Sequence, residues 1–225
     1  MFQVIRDTAL LDVESRADRR HRLPPERVFE MPNVTQVLMS GVLDQVLQNY
    51  REQIDHFLLK GGSVRLMIIH PEAARRSLGT SWAGRSSEWT TYWITNCNEA
   101  QVAVDAILDG KLEKHAALEL RFMLELPPYL GTLALDAGSV TSASPGSFVR
   151  VQPIAPSQYI GRGTVITFGK HRGRSDTPFD YFAADLESQW NVAVADEEYL
   201  RRRRAALAAS SGDQKVDGKP PPTEH

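Results

Sequence analysis

Cysteine is almost absent from this chain. With Cys97 alone, neither an intrachain disulfide nor a cysteine-based zinc site can form. No run of about eighteen apolar residues occurs, so no spanning helix is expected. The opening Met-Phe-Gln-Val-Ile-Arg-Asp lacks the charged start, apolar centre and small-residue cleavage site of a secretory signal. Charge of one sign is not in excess either. Twenty-six Lys and Arg against 28 Asp and Glu leave a formal net charge of −2, so only a local patch can draw nucleic acid or an acidic membrane. Histidines at metal-ligand spacing and a Gly-x-Ser-x-Gly elbow are missing, and Gly161-Arg162-Gly163 leads into a strand rather than a helix N-terminus. These absences predict a cytoplasmic domain with no metal, no cofactor, no strong nucleic-acid signal and no transmembrane segment.

What is present is a globular composition, 42% hydrophobic and 24% charged, in a chain long enough for one well-buried domain. Residues 1–32 are charged and punctuated by proline, with Arg16, Arg19, Arg20, His21 and Arg22 close together, and read as an N-terminal arm. The core is expected over 33–195, a polar helix carrying Arg201 to Arg204 over 196–209, and a disordered tail over 210–225, where apolar residues are too few to order the chain.

Within the core, Val34 to Gly41 is a short apolar run, read as a strand. Leu43, Val46, Leu47, Tyr50, Ile54, Phe57 and Leu58 then recur at three-and-four spacing, predicting one amphipathic helix that ends at Gly61 or Gly62. Val64 to Ile69 is almost continuously apolar, as a strand covered on both faces should be. A second long helix is expected from about Glu88 to Leu108, with Trp89, Trp93, Cys97 and Val104 on its buried side. Leu118, Leu120, Phe122 and Leu124 alternate with Glu119, Arg121, Met123 and Glu125, giving a half-buried strand. Three more strands follow, Tyr129 to Asp136, Phe148 to Gln152 and Thr164 to Phe168. A helix capped by Thr177, with Pro178 in its first position and Asp180 in its first turn, closes the core through Phe179, Phe182, Leu186 and Trp190.

This order of elements, the strand closing in His70-Pro71 and the final Phe-x-x-Phe-x-x-x-Leu-x-x-x-Trp pattern resemble the phospholipase D-like superfamily over roughly residues 34–194. The resemblance implies an α/β fold: a mixed β-sheet flanked by helices, built as a single phospholipase D-like unit. It also implies a place for the family's His-x-Lys-x-x-x-x-Asp motif, in which histidine attacks phosphorus and lysine steadies the phosphate charge. No histidine of this chain has a lysine two residues on. The nearest positional match sets Tyr129, Gly131 and Asp136 at the three offsets, and only the aspartate is of the family's type. No catalytic residue is therefore assigned.

The expected function is that of a non-catalytic binding or regulatory module for a phosphate-bearing ligand, with Asp136, Tyr129, His70, Arg75 and Arg76 as candidate binding residues. The arginines would hold phosphate by paired, charge-assisted hydrogen bonds. The alternative is a phosphodiesterase or nuclease with unusual residues, for which His70 or His171 would be the nucleophile. His70 stands at the C-terminal end of an apolar strand, the edge at which open α/β sheets bind ligands. Because members of this superfamily with one unit often pair, a homodimer is expected as well.

Overall fold

The computed structural model describes residues 10–15, 25–41, 44–70, 86–108, 117–137, 146–153, 164–171 and 174–194. By its contacts the chain divides into Met1–Val194 and Ala195–His225, and every described residue belongs to the first unit. The arginine cluster at 16–22, the Gly161–Gly163 turn, the helix expected over 196–209 and the tail lie outside the described residues.

The protein is α/β, with a mixed β-sheet flanked by helices. Its strands are β1 (Leu10–Ser15), β2 (Val34–Ser40), β3 (Ser63–Ile69), β4 (Leu118–Met123), β5 (Tyr129–Asp136), β6 (Phe148–Pro153) and β7 (Thr164–Gly169). They lie in the order β1-β7-β6-β5-β2-β3-β4. β2, β3 and β4 are parallel neighbours, whereas β5, β6, β7 and β1 continue antiparallel from the other side of β2. β2 is thus the seam between a parallel and an antiparallel half. β1 lies within the stretch read as an arm, and Pro25–Glu30 there forms a 3₁₀ helix.

The helices are α1 (Asp44–Asn49), α2 (Arg51–Leu59), α3 (Ser86–Leu108) and α4 (Pro178–Val192). The single amphipathic helix expected up to Lys60 is two segments, because Tyr50 between them has φ −118° and ψ 23°. Its end follows the expected chemistry. The Gly61 N–H donates to the Leu58 carbonyl and the Gly62 N–H to the Phe57 carbonyl, each at 3.0 Å, with Gly61 at φ +85°. The Phe57 ring covers Gly62 so closely that a Cβ there would lie 2.4 Å from it.

Strand alternation assigns the sheet two faces. Leu38, Met67, Met123, Leu133, Val149 and Val151 meet Phe179, Leu186 and Trp190 of α4 in one buried cluster. On the other face Val64, Leu66 and Ile68 are wholly buried on the side of α2 and α3, both of which contact β3. Cys97, expected in the core, is 1% exposed.

β4 departs from simple alternation. Met123 is buried while Leu124, already outside the strand, is 47% exposed. β4 is a sheet edge, and its Phe122 exchanges hydrogen bonds with Val194 at 2.8 and 3.0 Å, so the chain leaving α4 caps it there. No described helix is long and apolar enough to cross a membrane.

α4 starts on a complete capping box. The Thr177 hydroxyl accepts from the Asp180 N–H, and the Asp180 carboxylate accepts from the Thr177 N–H at 3.0 Å. The hydrogen bonds from the Thr177 side chain and backbone hold the Asp180 carboxyl below its usual range. Thr177→Ala is expected to lower stability by about 1 kcal/mol in urea melts. A depressed carboxyl pKa stabilises the fold above the unfolded-state value of about 3.9, and the gain disappears as pH falls through the lower folded-state value. The stability difference between wild type and Asp180→Asn should therefore be constant near neutrality and shrink once pH drops below about 4.

Candidate functional site

The motif offsets fall on β5, so its side chains decide what chemistry the resemblance can carry. Alternation puts Tyr129, Gly131, Leu133 and Leu135 on the α4 face and Leu130, Thr132, Ala134 and Asp136 on the other. Tyr129 is buried, and its hydroxyl donates to the Asp185 carboxylate of α4. Gln189, one turn further along α4, donates to the same carboxylate oxygen at 2.8 Å, while its own buried Oε1 has no hydrogen-bond partner. The Phe182 ring meets Tyr129 edge-on at 5.3 Å and stacks on Phe168 at 5.6 Å. Burial, and then the Asp185 hydrogen bond, push the Tyr129 phenol well above its usual range.

Gly131, at the lysine offset, lies beneath Leu186. A Cβ built on it would sit 2.7 Å from Leu186 Cδ2, so a side chain here would force the Leu186 side chain to shift. Its N–H donates to the buried Ser40 hydroxyl of β2 at 2.9 Å.

Asp136 ends the same strand on the opposite face. Seven residues separate it from Tyr129, about 24 Å at strand rise. Ser147 holds it at both ends: the Asp136 N–H donates to Ser147 Oγ at 3.1 Å, and that hydroxyl donates to Asp136 Oδ1 at 3.2 Å.

His70 follows β3 at the C-terminal edge of the parallel strands. Its N–H donates to the Met123 carbonyl at 2.8 Å, and its ring sits edge-on to Phe122 at 5.8 Å. Phe122 is register partner of Ile68, so His70 continues the face away from Tyr129. Tyr129, Asp136 and His70 therefore do not converge, and Arg75 and Arg76 lie outside the described residues. No group of three or more metal-ligating side chains occurs among the described residues.

Two features were missed by reading the sequence. The first is the clamp that fixes α4 over the parallel half. Arg65 forms an ion pair with Glu187, with Nη1 2.8 Å from Oε2, and Arg121 donates to the Trp190 carbonyl at 2.9 Å. The two guanidinium groups lie 5.4 and 4.3 Å from the Trp190 ring centre, within cation–π range. The second is a buried polar row on the other face of the antiparallel half: Thr132, Arg150, Gln152 and Thr167. The alternation Val149-Arg150-Val151-Gln152 signalled a strand with one polar face, but such a pattern ordinarily means a face in water.

Two grooves open elsewhere. One of about 430 Å³ runs between α1–α2 and α3, bordered by Gln48, Arg51, Glu99 and Val102. Another of about 320 Å³ lies by the 3₁₀ helix, with Glu30, Gln53, His56 and Lys60 at its rim. Neither includes Tyr129, Asp136 or His70.

No family model and no curated protein matches this chain. Among solved structures, it is similar to TrmBL2, an archaeal chromatin protein described as showing a novel mode of DNA binding. The two are 12% identical with a TM-score of 0.42, over 75% of this chain and 47% of the other, so the alignment spans about half of TrmBL2. A likeness at that level carries no argument about function.

Removing the Tyr129 hydroxyl leaves a half-buried carboxylate with one donor fewer. Tyr129→Phe should cost about 1–3 kcal/mol by denaturant unfolding at pH 7. In alkaline titration followed by phenolate absorbance, one tyrosine should fail to ionise in the usual range near pH 10 until the protein unfolds.

Proposed function

We propose that this chain is a non-catalytic, phospholipase D-like binding or regulatory module whose ligand bears a phosphate group. The single observation that carries the non-catalytic part is the closure of β5 by α4. Leu186 fills the space over Gly131 where a lysine would have to extend, and Tyr129 is committed to Asp185. A phosphoryl-transfer site of the histidine–lysine kind requires a nucleophile free to attack and a cation beside it. The packing at the two motif offsets, with Leu186 over Gly131 and Tyr129 bonded to Asp185, supports the non-catalytic reading. The phosphate-bearing ligand is proposed on the family resemblance, and the separation of Tyr129, Asp136 and His70 means that these residues do not bind it as a group. The module is further proposed to act as a symmetric homodimer, in which the same patch of each copy would meet its counterpart.

Purified full-length protein should show no turnover of a chromogenic phosphodiester or of single-stranded DNA, with or without chelator. It should be stabilised saturably by at least one compound among nucleotides, phospholipid headgroups and short oligonucleotides, the shift growing as RT ln(1 + [L]/Kd). Turnover that disappears in His70→Ala or His171→Ala would establish the enzyme alternative instead, and a flat response to every compound would remove the ligand. Light scattering at tens of micromolar should return a dimeric mass, unchanged when the chain is ended at Ala209. A monomer would end the dimer proposal.

A further inference from the structure

The groove of about 320 Å³ beside the 3₁₀ helix shares no lining residue with α4 or with the Tyr129, Asp136 and His70 positions. Its floor is aromatic. Phe29 of the 3₁₀ helix and Phe57 of α2 meet edge-on with ring centres 5.8 Å apart, and both are buried, as is Val34 beside them. The Phe57 ring can lie as it does because Gly62, also in the lining, has no Cβ to collide with it. Gly62 lacks the positive φ of Gly61, so it is the ring and not the backbone that needs the glycine.

One wall carries the donors. Gln53, His56 and Lys60 are spaced three and four residues apart, which puts them on one stripe of α2 and its C-terminal cap. They bring a carboxamide, an imidazole and an ammonium group to the rim. His56 and Lys60 are exposed and Gln53 is half-buried. Among the described residues, none of these three side chains is engaged in a hydrogen bond or ion pair. The carbonyls at the end of α2, which would repel an anion, are already met, since the N–H groups of Lys60, Gly61 and Gly62 donate to His56, Leu58 and Phe57. On the 3₁₀ side the rim carries Glu30, whose carboxylate turns an anion towards the α2 wall and can accept from a ligand hydroxyl or N–H. An apolar floor with a few convergent polar groups is the usual make-up of a small-molecule pocket, and this volume is at the small end of a class spanning roughly 300–1,000 Å³.

We propose that this groove seats the phosphate-bearing ligand, and that the ligand is a small organic phosphomonoester whose apolar or aromatic body lies on Phe29 and Phe57 while its phosphate oxygens meet Lys60, His56 and Gln53. This rests on the binding-module reading above and adds to it a place and a ligand class. Inorganic phosphate would leave the aromatic floor bare, and an uncharged ring would leave the ammonium group without an anion. Full affinity therefore needs both halves in one molecule.

The test uses the full chain and three probes at matched ionic strength: phenyl phosphate, inorganic phosphate and benzyl alcohol, followed by thermal shift and titration calorimetry. Phenyl phosphate should stabilise the wild type saturably and bind at least about tenfold tighter than either half alone. Lys60→Gln removes the ammonium group from an exposed position. It should weaken phenyl phosphate about tenfold, the weaker end of a charge-assisted hydrogen bond, and leave benzyl alcohol unaffected. A methyl group in Gly62→Ala must shift the Phe57 ring and deform the floor, so that variant should also lose at least about tenfold. Val102→Ser, in the groove between α1–α2 and α3, should bind as the wild type does. Should Gly62→Ala fail to fold, the Lys60 and Val102 variants decide the matter. Phenyl phosphate binding equal in wild type and Lys60→Gln overturns the proposal, as does binding lost in Val102→Ser and kept in Lys60→Gln. If a nucleotide or headgroup stabilises wild type and Lys60→Gln equally, the binding module stands and this seat for its ligand falls. If no organic phosphate stabilises the wild type, both fall.

Discussion

The close approach of α4 to β5 is the constraint on which the rest of this structure depends, and it exists because residue 131 has no side chain. Leu186 settles into that gap, fully buried, and fixes the helix at one depth over the sheet. From that depth Asp185 reaches the Tyr129 hydroxyl, Glu187 reaches Arg65, and the Trp190 ring comes within cation–π range of two guanidinium groups. Glycine within a strand usually marks such a close approach. A residue that looks like the loss of a catalytic lysine is, in packing terms, the reason that the helix fits.

The sheet is divided in two ways that do not coincide with its helices. Strand direction changes at β2, which pairs parallel with β3 and antiparallel with β5. The chemistry of the face opposite α4 changes across the same seam, from Val64, Leu66 and Ile68 to Thr132, Arg150 and Thr167. Parallel strands buried on both sides need unbroken apolar runs, whereas antiparallel ones can carry a second character on alternate residues. The division of character thus follows from topology.

Much of the fold was legible in the sequence because periodicity reports burial directly. β5 is found at the limits its apolar run implied, and the Thr177-Pro178-Asp180 start of α4 and the glycine end of α2 follow local capping rules. The break at Tyr50 was not legible, since helical spacing continues through it. Nor was the burial of Met123, which depends on Phe179 and Trp190 far along the chain. β1 was hidden because a short edge strand is stabilised mainly by its neighbour β7, not by its own pattern. The candidate residues fared differently. Motif offsets gave Tyr129, Gly131 and Asp136 correct places on one strand, but alternation sends the first and last to opposite faces. The polar row escaped because Arg and Gln on alternate positions imply water, and only the three-dimensional packing shows them buried.

The pairing of β1 with β7 joins Leu10–Ser15 to Thr164–Gly169, the first described strand to the last. Contacts so distant in sequence carry a large loop-closure cost and slow the search for the native state. During synthesis, β1 emerges from the ribosome long before its only strand partner among the described residues has been made. The β2–β3 unit can form early from nearby segments, but the antiparallel half must remain open at one side until β7 arrives. Between the synthesis of β1 and that of β7, the nascent chain therefore carries a strand whose described partner does not yet exist.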